Sequence, residues 1–229
     1  MHIPDGYLGP LTTITLLAVM VPIWWYAAKI AREKMGDRSI SLLSMLSAFS
    51  FLVMMFNWPV PDGTTAHMVG ATLIAILLGP WAAVIGVTIA LVIQAFFFGD
   101  GGILALGANC LNMAVILPFV GYYTYSGIMK LMKKDTARNR AIAAGIGGYI
   151  GINVAALAAA VEFGIQPYIS PGYCPYGLDM AIPAMLFAHL LVAGPVEAAV
   201  TGFVVGYLKS QEDRYSDILN VEKWVSGGD

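Results

Sequence analysis

The twelve Lys and Arg residues of this 229-residue chain fall into three short groups, and that placement constrains the fold more than any other feature. Lys29, Arg32, Lys34 and Arg38 form the first group, and Lys130, Lys133, Lys134, Arg138 and Arg140 the second. Lys209, Arg214 and Lys223 form the third. Residues 1–28, 39–129 and 141–208 contain no Lys or Arg. Only 11% of the chain is charged and 59% is apolar, whereas soluble domains carry about 25% charged residues. With a mean hydropathy of +0.75, too few polar side chains exist to cover a water-soluble globule. The net charge of -2 offers no basic footprint for nucleic acid. A cytosolic enzyme, a disordered chain and a nucleic-acid binder are thereby excluded. At roughly 20 apolar residues per crossing, the chain is an all-α polytopic membrane protein.

Basic residues in short loops mark the cytoplasmic side. The three groups therefore predict three cytoplasmic segments, about seven transmembrane helices, an external N-terminus and a cytoplasmic C-terminus. Turn signals at Asn57–Gly63, Gly79-Pro80 and Gly99–Gly102 divide the long middle stretch. They give an external segment at 1–7, spans near 8–29, 40–56, 64–78, 81–98, 103–132, 141–163 and 180–208, and a tail at 209–229. The run 64–78 reaches only roughly 22 Å as a helix, short of a hydrocarbon core of about 30 Å. A partial or re-entrant helix paired with 81–98 stays open there, and charge parity holds either way. The first apolar run has no basic segment before it and a cytoplasmic basic group after it. It reads as a span, not a cleaved signal, so the mature chain is expected to begin at Met1.

Ionisable residues in or near spans are functional candidates, and there are three histidines: His2, His67 and His189. A histidine at position 2 can offer its imidazole, its own amide nitrogen and the adjacent α-amine to one ion. Amine and amide close a five-membered chelate ring, and amide and Nδ1 a six-membered one. Three such nitrogens favour the square-planar geometry of Cu(II) or Ni(II), with affinity that rises steeply with pH because the amide must lose its proton. Pro4 fixes the segment without removing the amide of His2, and Gly6 lets it turn inward. A fourth nitrogen is needed. His67 opens the third run on the external side, whereas His189 lies roughly 13 Å into the last span. Taken singly, His2 and His67 could equally be an exposed residue and a helix-start residue; together they point to a metal. His189 is read as a satisfied interhelical histidine.

The opening Met1-His2-Ile3-Pro4-Asp5-Gly6-Tyr7-Leu8 and the later Asp62-Gly63-Thr64-Thr65-Ala66-His67 resemble the NikM/CbiM family. These are the substrate-binding components of energy-coupling-factor transporters for nickel or cobalt. The likeness runs the length of the hydrophobic chain and looks more like the nickel branch. The resemblance implies that the N-terminus folds back into the bundle, where Met1, His2 and His67 hold one divalent ion, Ni2+ or Co2+. That ion is cargo, and no other cofactor is expected. The implied partners are a transmembrane coupling component, a cytoplasmic ATPase pair and a small accessory membrane protein, in a prokaryotic plasma membrane.

A metal-bound histidine usually gives its other nitrogen to a carboxylate, carbonyl or water. Asp5, Asn57, Asp62 and Thr65 are the external-side candidates, each of which could equally serve a turn or a helix cap. Asp100, Asp179, Glu162 and Glu197 are the other carboxylates worth naming, and Glu197 is expected to share a helix face with His189. A membrane-embedded metalloenzyme using His67, His189, Glu162 and Glu197 is the competing reading, and a self-sufficient ion carrier a third. No Walker loop, GxSxG or HExxH occurs, and the metalloenzyme gives His2 no task. ATP hydrolysis is assigned to partners. Cys110 and Cys174 lack metal-ligand spacing and are read as unpaired thiols. The glycines at 145, 147, 148 and 151 are read as packing the bundle or as a docking face.

Overall fold

The structure, a computed structural model, describes residues 1–211. Arg214, Lys223 and the tail predicted beyond 211 lie outside the described residues. Apolar runs opened by proline and closed by glycine become helices. Pro10 and Pro80 sit at first helical positions, where the missing N–H costs nothing. Gly79 and Gly99 take positive φ at helix ends, a conformation that suits glycine. Among the described residues six helices are long and apolar enough to cross a membrane: α1 (Pro10–Lys34), α2 (Asp37–Met55), α4 (Pro80–Phe98), α5 (Leu106–Met132), α6 (Ala137–Ile169) and α7 (Leu178–Ser210). Between α2 and α4 lies a short α3 (Ala71–Leu78). It is preceded by a two-residue antiparallel pair, β1 (Trp58–Pro59) with β2 (Thr65–Ala66). Large apolar side chains such as Leu11, Trp25, Leu52, Phe97, Leu131 and Phe203 point outward. An exposed apolar surface of that extent belongs against lipid. The protein is a multi-pass membrane protein.

The predicted third span is helical only over its second half, and the reason is visible in where its neighbours begin and end. Asn57, just past α2, donates to Asp100, just past α4, at 2.9 Å, so both helices finish on the same face. The nineteen residues of α4 span roughly 28 Å, which puts Pro80 on the opposite face. There Trp81 packs edge-on against Tyr26, 4.7 Å between ring centroids, beside the first basic group. The chain between 57 and 79 therefore crosses the full thickness of the molecule. It does so as an irregular descent followed by eight residues of helix. Charge parity survives, with seven crossings of which six are single long helices.

Irregular backbone at membrane depth is tolerated only when protein encloses it. Residues 66–78 are all buried, ringed by α2, α4, α5, α6 and α7. Ser50, within α2, donates to the carbonyl of Val69 at 2.8 Å. The glycines of α6 make the enclosure possible. A Cβ on Gly151 would lie 2.7 Å from the Leu117 carbonyl of α5, and one on Gly145 3.1 Å from the Ala198 carbonyl of α7. This stripe packs the bundle, as small residues do in membranes.

The composite third crossing makes a labelling prediction. In a chain with Cys110 and Cys174 replaced by serine, Asp62→Cys should react with a membrane-impermeant maleimide from outside the cell. Pro80→Cys should react only after the cytoplasmic face is opened. Equal external labelling of both would mean that 57–79 turns back without crossing.

Candidate metal centre

The N-terminal segment is drawn into the bundle as an extra strand of peptide. Met1, His2 and Ile3 are buried. The amide N–H of Ile3 donates to Asn109 Oδ1 at 2.8 Å while Asn109 Nδ2 donates back to the Ile3 carbonyl at 3.0 Å. Gly102 N–H adds a second donor to that carbonyl at 2.9 Å. Asp5 closes the segment by accepting from the amides of Ile103 and Leu104 at 3.1 and 2.8 Å. Gly102 is required here because a Cβ would overlap Asp5. Gly6 follows at φ 89°, turning the chain out towards α1.

This docking brings together the three residues expected to share an ion. The α-amine of Met1 donates to the carbonyl of Thr65 and, at 2.7 Å, to Thr65 Oγ1. The amide N–H of His2 donates to the same hydroxyl at 3.2 Å. The N–H directions of amine and amide thus converge on one point. The imidazoles of His2 and His67 stack with centroids 4.5 Å apart. His67 Nδ1 lies 3.0 Å from the Met68 carbonyl. A carbonyl only accepts, so Nδ1 carries the proton and Nε2 is left with its lone pair. That Nε2 has no partner.

Asp100 Oδ1 stands 3.2 Å from His2 Nδ1. Burial holds the Met1 amine well below its usual range, against the opposing pull of Asp100. Burial likewise lowers His2, with the Asp100 bond resisting it. For Asp100, burial pushes upward most strongly, but the bond and charge of His2, the Met1 amine and the Asn57 bond together outweigh it, and the carboxyl titrates below its ordinary value. The balance favours an uncharged amine and imidazole beside one carboxylate, a donor-rich setting for a cation. A cleft of about 420 Å³, lined by Pro4, Tyr7, Asp62, Asp100 and Tyr176 among others, opens from His2 to the exterior. Its carboxylates concentrate cations at the mouth.

Among the described residues no group of three or more His, Cys, Asp or Glu could hold a metal. Any ion held here needs main-chain nitrogen. Of the residues expected around the ligands, Thr65 meets both the amine and the His2 amide. Asn57 reaches His2 only through Asp100, Asp5 anchors the 103–105 loop, and exposed Asp62 forms a turn at φ 58°. Asp100 and Gln94, whose side chain lies against the His2 ring, were not assigned there from sequence. Both sit on or just after a π-helical turn, Gln94–Phe98, which periodicity does not reveal. The expected His189–Glu197 pairing is not made. His189–Ala193 is also π-helical, shifting the register between the two residues. His189 Nδ1 meets the Met185 carbonyl at 2.7 Å, and Glu197 accepts from the amides of Val69 and Gly70. Glu162 takes a 2.6 Å bond from Asn112. The four residues of the metalloenzyme reading thus do not form one ligand set. Cys110 and Cys174 are free and buried.

Buried nitrogen donors at the foot of a cleft, in a many-helix membrane protein, are an arrangement suited to a transport component. The profile of the CbiM family, described as the cobalt uptake substrate-specific transmembrane region, matches residues 2–214. The chain belongs to that family. A putative metal transport protein of Methanocaldococcus jannaschii is 58% identical over 99% of both chains. A probable fused nickel transport protein of Lactiplantibacillus plantarum, LarMN, is 51% identical over 91% of this chain. The fused nickel transport protein NikMN of Rhodobacter capsulatus is 48% identical, also over 91% of it. This chain spans 64% and 62% of the length of those two fused proteins. A crystal structure of a transition metal transporter superposes with a TM-score of 0.89 at 51% identity over 100% of each chain. Relatives of this kind are named as transport proteins, not enzymes.

Placing a methyl group on Gly102 tests the docking directly. Overpacking costs about 1–3 kcal/mol, so Gly102→Ala should loosen the segment. The Met1 amine should then react roughly tenfold or more faster with an amine-directed reagent than in the parent chain, as read by mass spectrometry. Unchanged reactivity would mean that Asp5 and Gly102 do not hold the N-terminus in place.

Proposed function

We propose that this chain captures a divalent transition-metal ion for uptake, Ni(II) in preference to Co(II). The ligands are the Met1 amine, the His2 amide and imidazole, and the His67 imidazole. The observation that carries this reading is the meeting of Met1, His2 and His67 around Thr65, with an unpartnered Nε2 on His67. The N–H bonds that now point at Thr65 Oγ1 mark the directions in which an ion would replace the protons. Asp100 and the ion would contend for His2 Nδ1, so loading displaces that contact. Four nitrogens in one plane suit low-spin Ni(II).

In the same proposal the chain is the substrate-specific subunit of an energy-coupling-factor transporter. It works with a transmembrane coupling component, two cytoplasmic ATPases and a small accessory membrane protein, and holds no cofactor beyond its cargo. The nickel transport names carried by the fused relatives support the cargo. The chain shows no nucleotide-binding loop of its own.

Inserting one alanine between Met1 and His2 keeps every side chain and breaks both chelate rings. Ni(II) titration of the purified chain should then lose binding. His67→Ala should weaken it by more than the roughly 10- to 100-fold lost when only a residue bonded to a metal ligand is removed. His189→Ala should leave it nearly unchanged, and the reverse ranking of the two histidines would move the site. Competition between Ni(II) and Co(II) on the parent chain decides the cargo.

A further inference from the structure

Glu197 is fully buried on α7 and carries a task that neither the chelate nor the packing of α7 against α6 explains. Its Oε2 accepts two main-chain bonds from consecutive residues, Val69 N–H and Gly70 N–H, each at 2.9 Å. Gly70 stands at φ 75°, the left-handed conformation glycine adopts freely. That turn directs two successive amides at one oxygen, the concave arrangement that recognises anions and carboxylates. The Val69 N–H belongs to the same planar peptide unit as the Met68 carbonyl. In a trans peptide the two point in opposite directions, and no cis peptide occurs among the described residues. The far side of that unit, the Met68 carbonyl, accepts from His67 Nδ1 at 3.0 Å. Glu197 and the His67 ring therefore grip one rigid peptide from its two ends. The adjoining Val69 carbonyl is held by Ser50 at 2.8 Å.

We propose that Glu197 is the positioning residue for His67: through the Met68–Val69 peptide it fixes the imidazole as the Nδ1–H tautomer and leaves Nε2 free to coordinate. It plays, one peptide removed, the part that a carboxylate plays when bonded directly to a metal-ligating histidine. Hydrogen bonds in such a chain polarise one another, so the grip also makes Nε2 the better donor. The coordinating half of this proposal rests on the metal-capture reading above. The tautomer half does not.

The test uses the full chain purified in detergent, with isotopically labelled histidine nitrogens followed by NMR in the absence of metal, and Ni(II) titration alongside. Glu197→Ala should turn His67 from a single Nδ1–H tautomer into a mixture and weaken Ni(II) binding by roughly 10- to 100-fold. Glu197→Gln, whose side-chain carbonyl can still accept both N–H groups, should keep the tautomer and most of the affinity. If Glu197→Ala does not fold, Glu197→Asp replaces it: the carboxyl group is retained but withdrawn by one methylene, and the same tautomer shift is expected. An unchanged His67 tautomer and unchanged Ni(II) affinity, with binding still lost on alanine insertion after Met1, overturn the positioning role and leave the capture site standing. Binding that survives the insertion overturns the capture reading itself, and the tautomer result then stands alone.

Discussion

Backbone N–H and C=O groups cannot be left bare in hydrocarbon, and the rest of this structure follows from how that demand is met. Two stretches of non-helical chain enter the bundle, the N-terminal segment and the descent from 65 to 70. Neither could exist there alone. The N-terminus is satisfied by Asn109, Gly102 and Thr65, and the descent by Ser50, Glu197 and the short β1–β2 pairing. Thr65 serves both, since it belongs to the descent and accepts from the N-terminus. Each stretch is thus part of the surroundings the other requires.

Three π-helical turns surround this region: Gln94–Phe98, Leu111–Ile116 and His189–Ala193. Such turns are rare and cluster at functional sites. Each carries a buried polar residue, respectively Gln94, Asn112 and His189. Gln94 reaches the His2 ring, and His189 lies within electrostatic reach of the Met1 amine. The wide turn widens the local step, so that one side chain departs from the packing face without ending the helix. Close helix contacts at the glycines of α6 and loosened turns around the N-terminus are complementary.

Much of this was legible in the sequence because it rests on the placement of charge and of histidine. The sorting of Lys and Arg predicts the number and sense of the crossings, and the position of His2 beside a free amine points to a chelate. Both depend on local, covalent facts. What the sequence hid depends on register and depth. His67 reads as the start of a helix, yet the helix begins at Ala71 and the histidine lies in the buried descent before it. Asp5 and Asp62 look equivalent to Asp100 in composition, but only Asp100 reaches His2, because the chain turns at Gly99 and Gly101 with positive φ. Glu197 sits eight residues from His189, and a regular helix would stack them. The π turn between them sends Glu197 to the 69–70 amides instead.

A donor set drawn partly from the main chain has a physical consequence for capture and release. A site made of several carboxylates would repel itself when empty, and each charge would be costly to bury. Here two of the proposed donors, the Met1 amine and the His2 amide, are already bonded to Thr65 oxygens in the structure. In the proposed reading the ion exchanges those bonds for coordination, and its departure lets them reform. In either state these two main-chain nitrogens keep a partner, so for them the difference is set by the metal bonds and the protons released. The ring atoms differ: Nε2 of His67, like Nε2 of His2, has no hydrogen-bond partner among the described residues. The His67 ring is held from behind by the Met68 carbonyl, whose peptide is gripped in turn by Glu197. In the proposed reading such a pocket would hold its ion by geometry fixed in advance and would lose it when that geometry is moved. A partner that shifted α7 would act on Glu197, and through it on His67, without touching the ion.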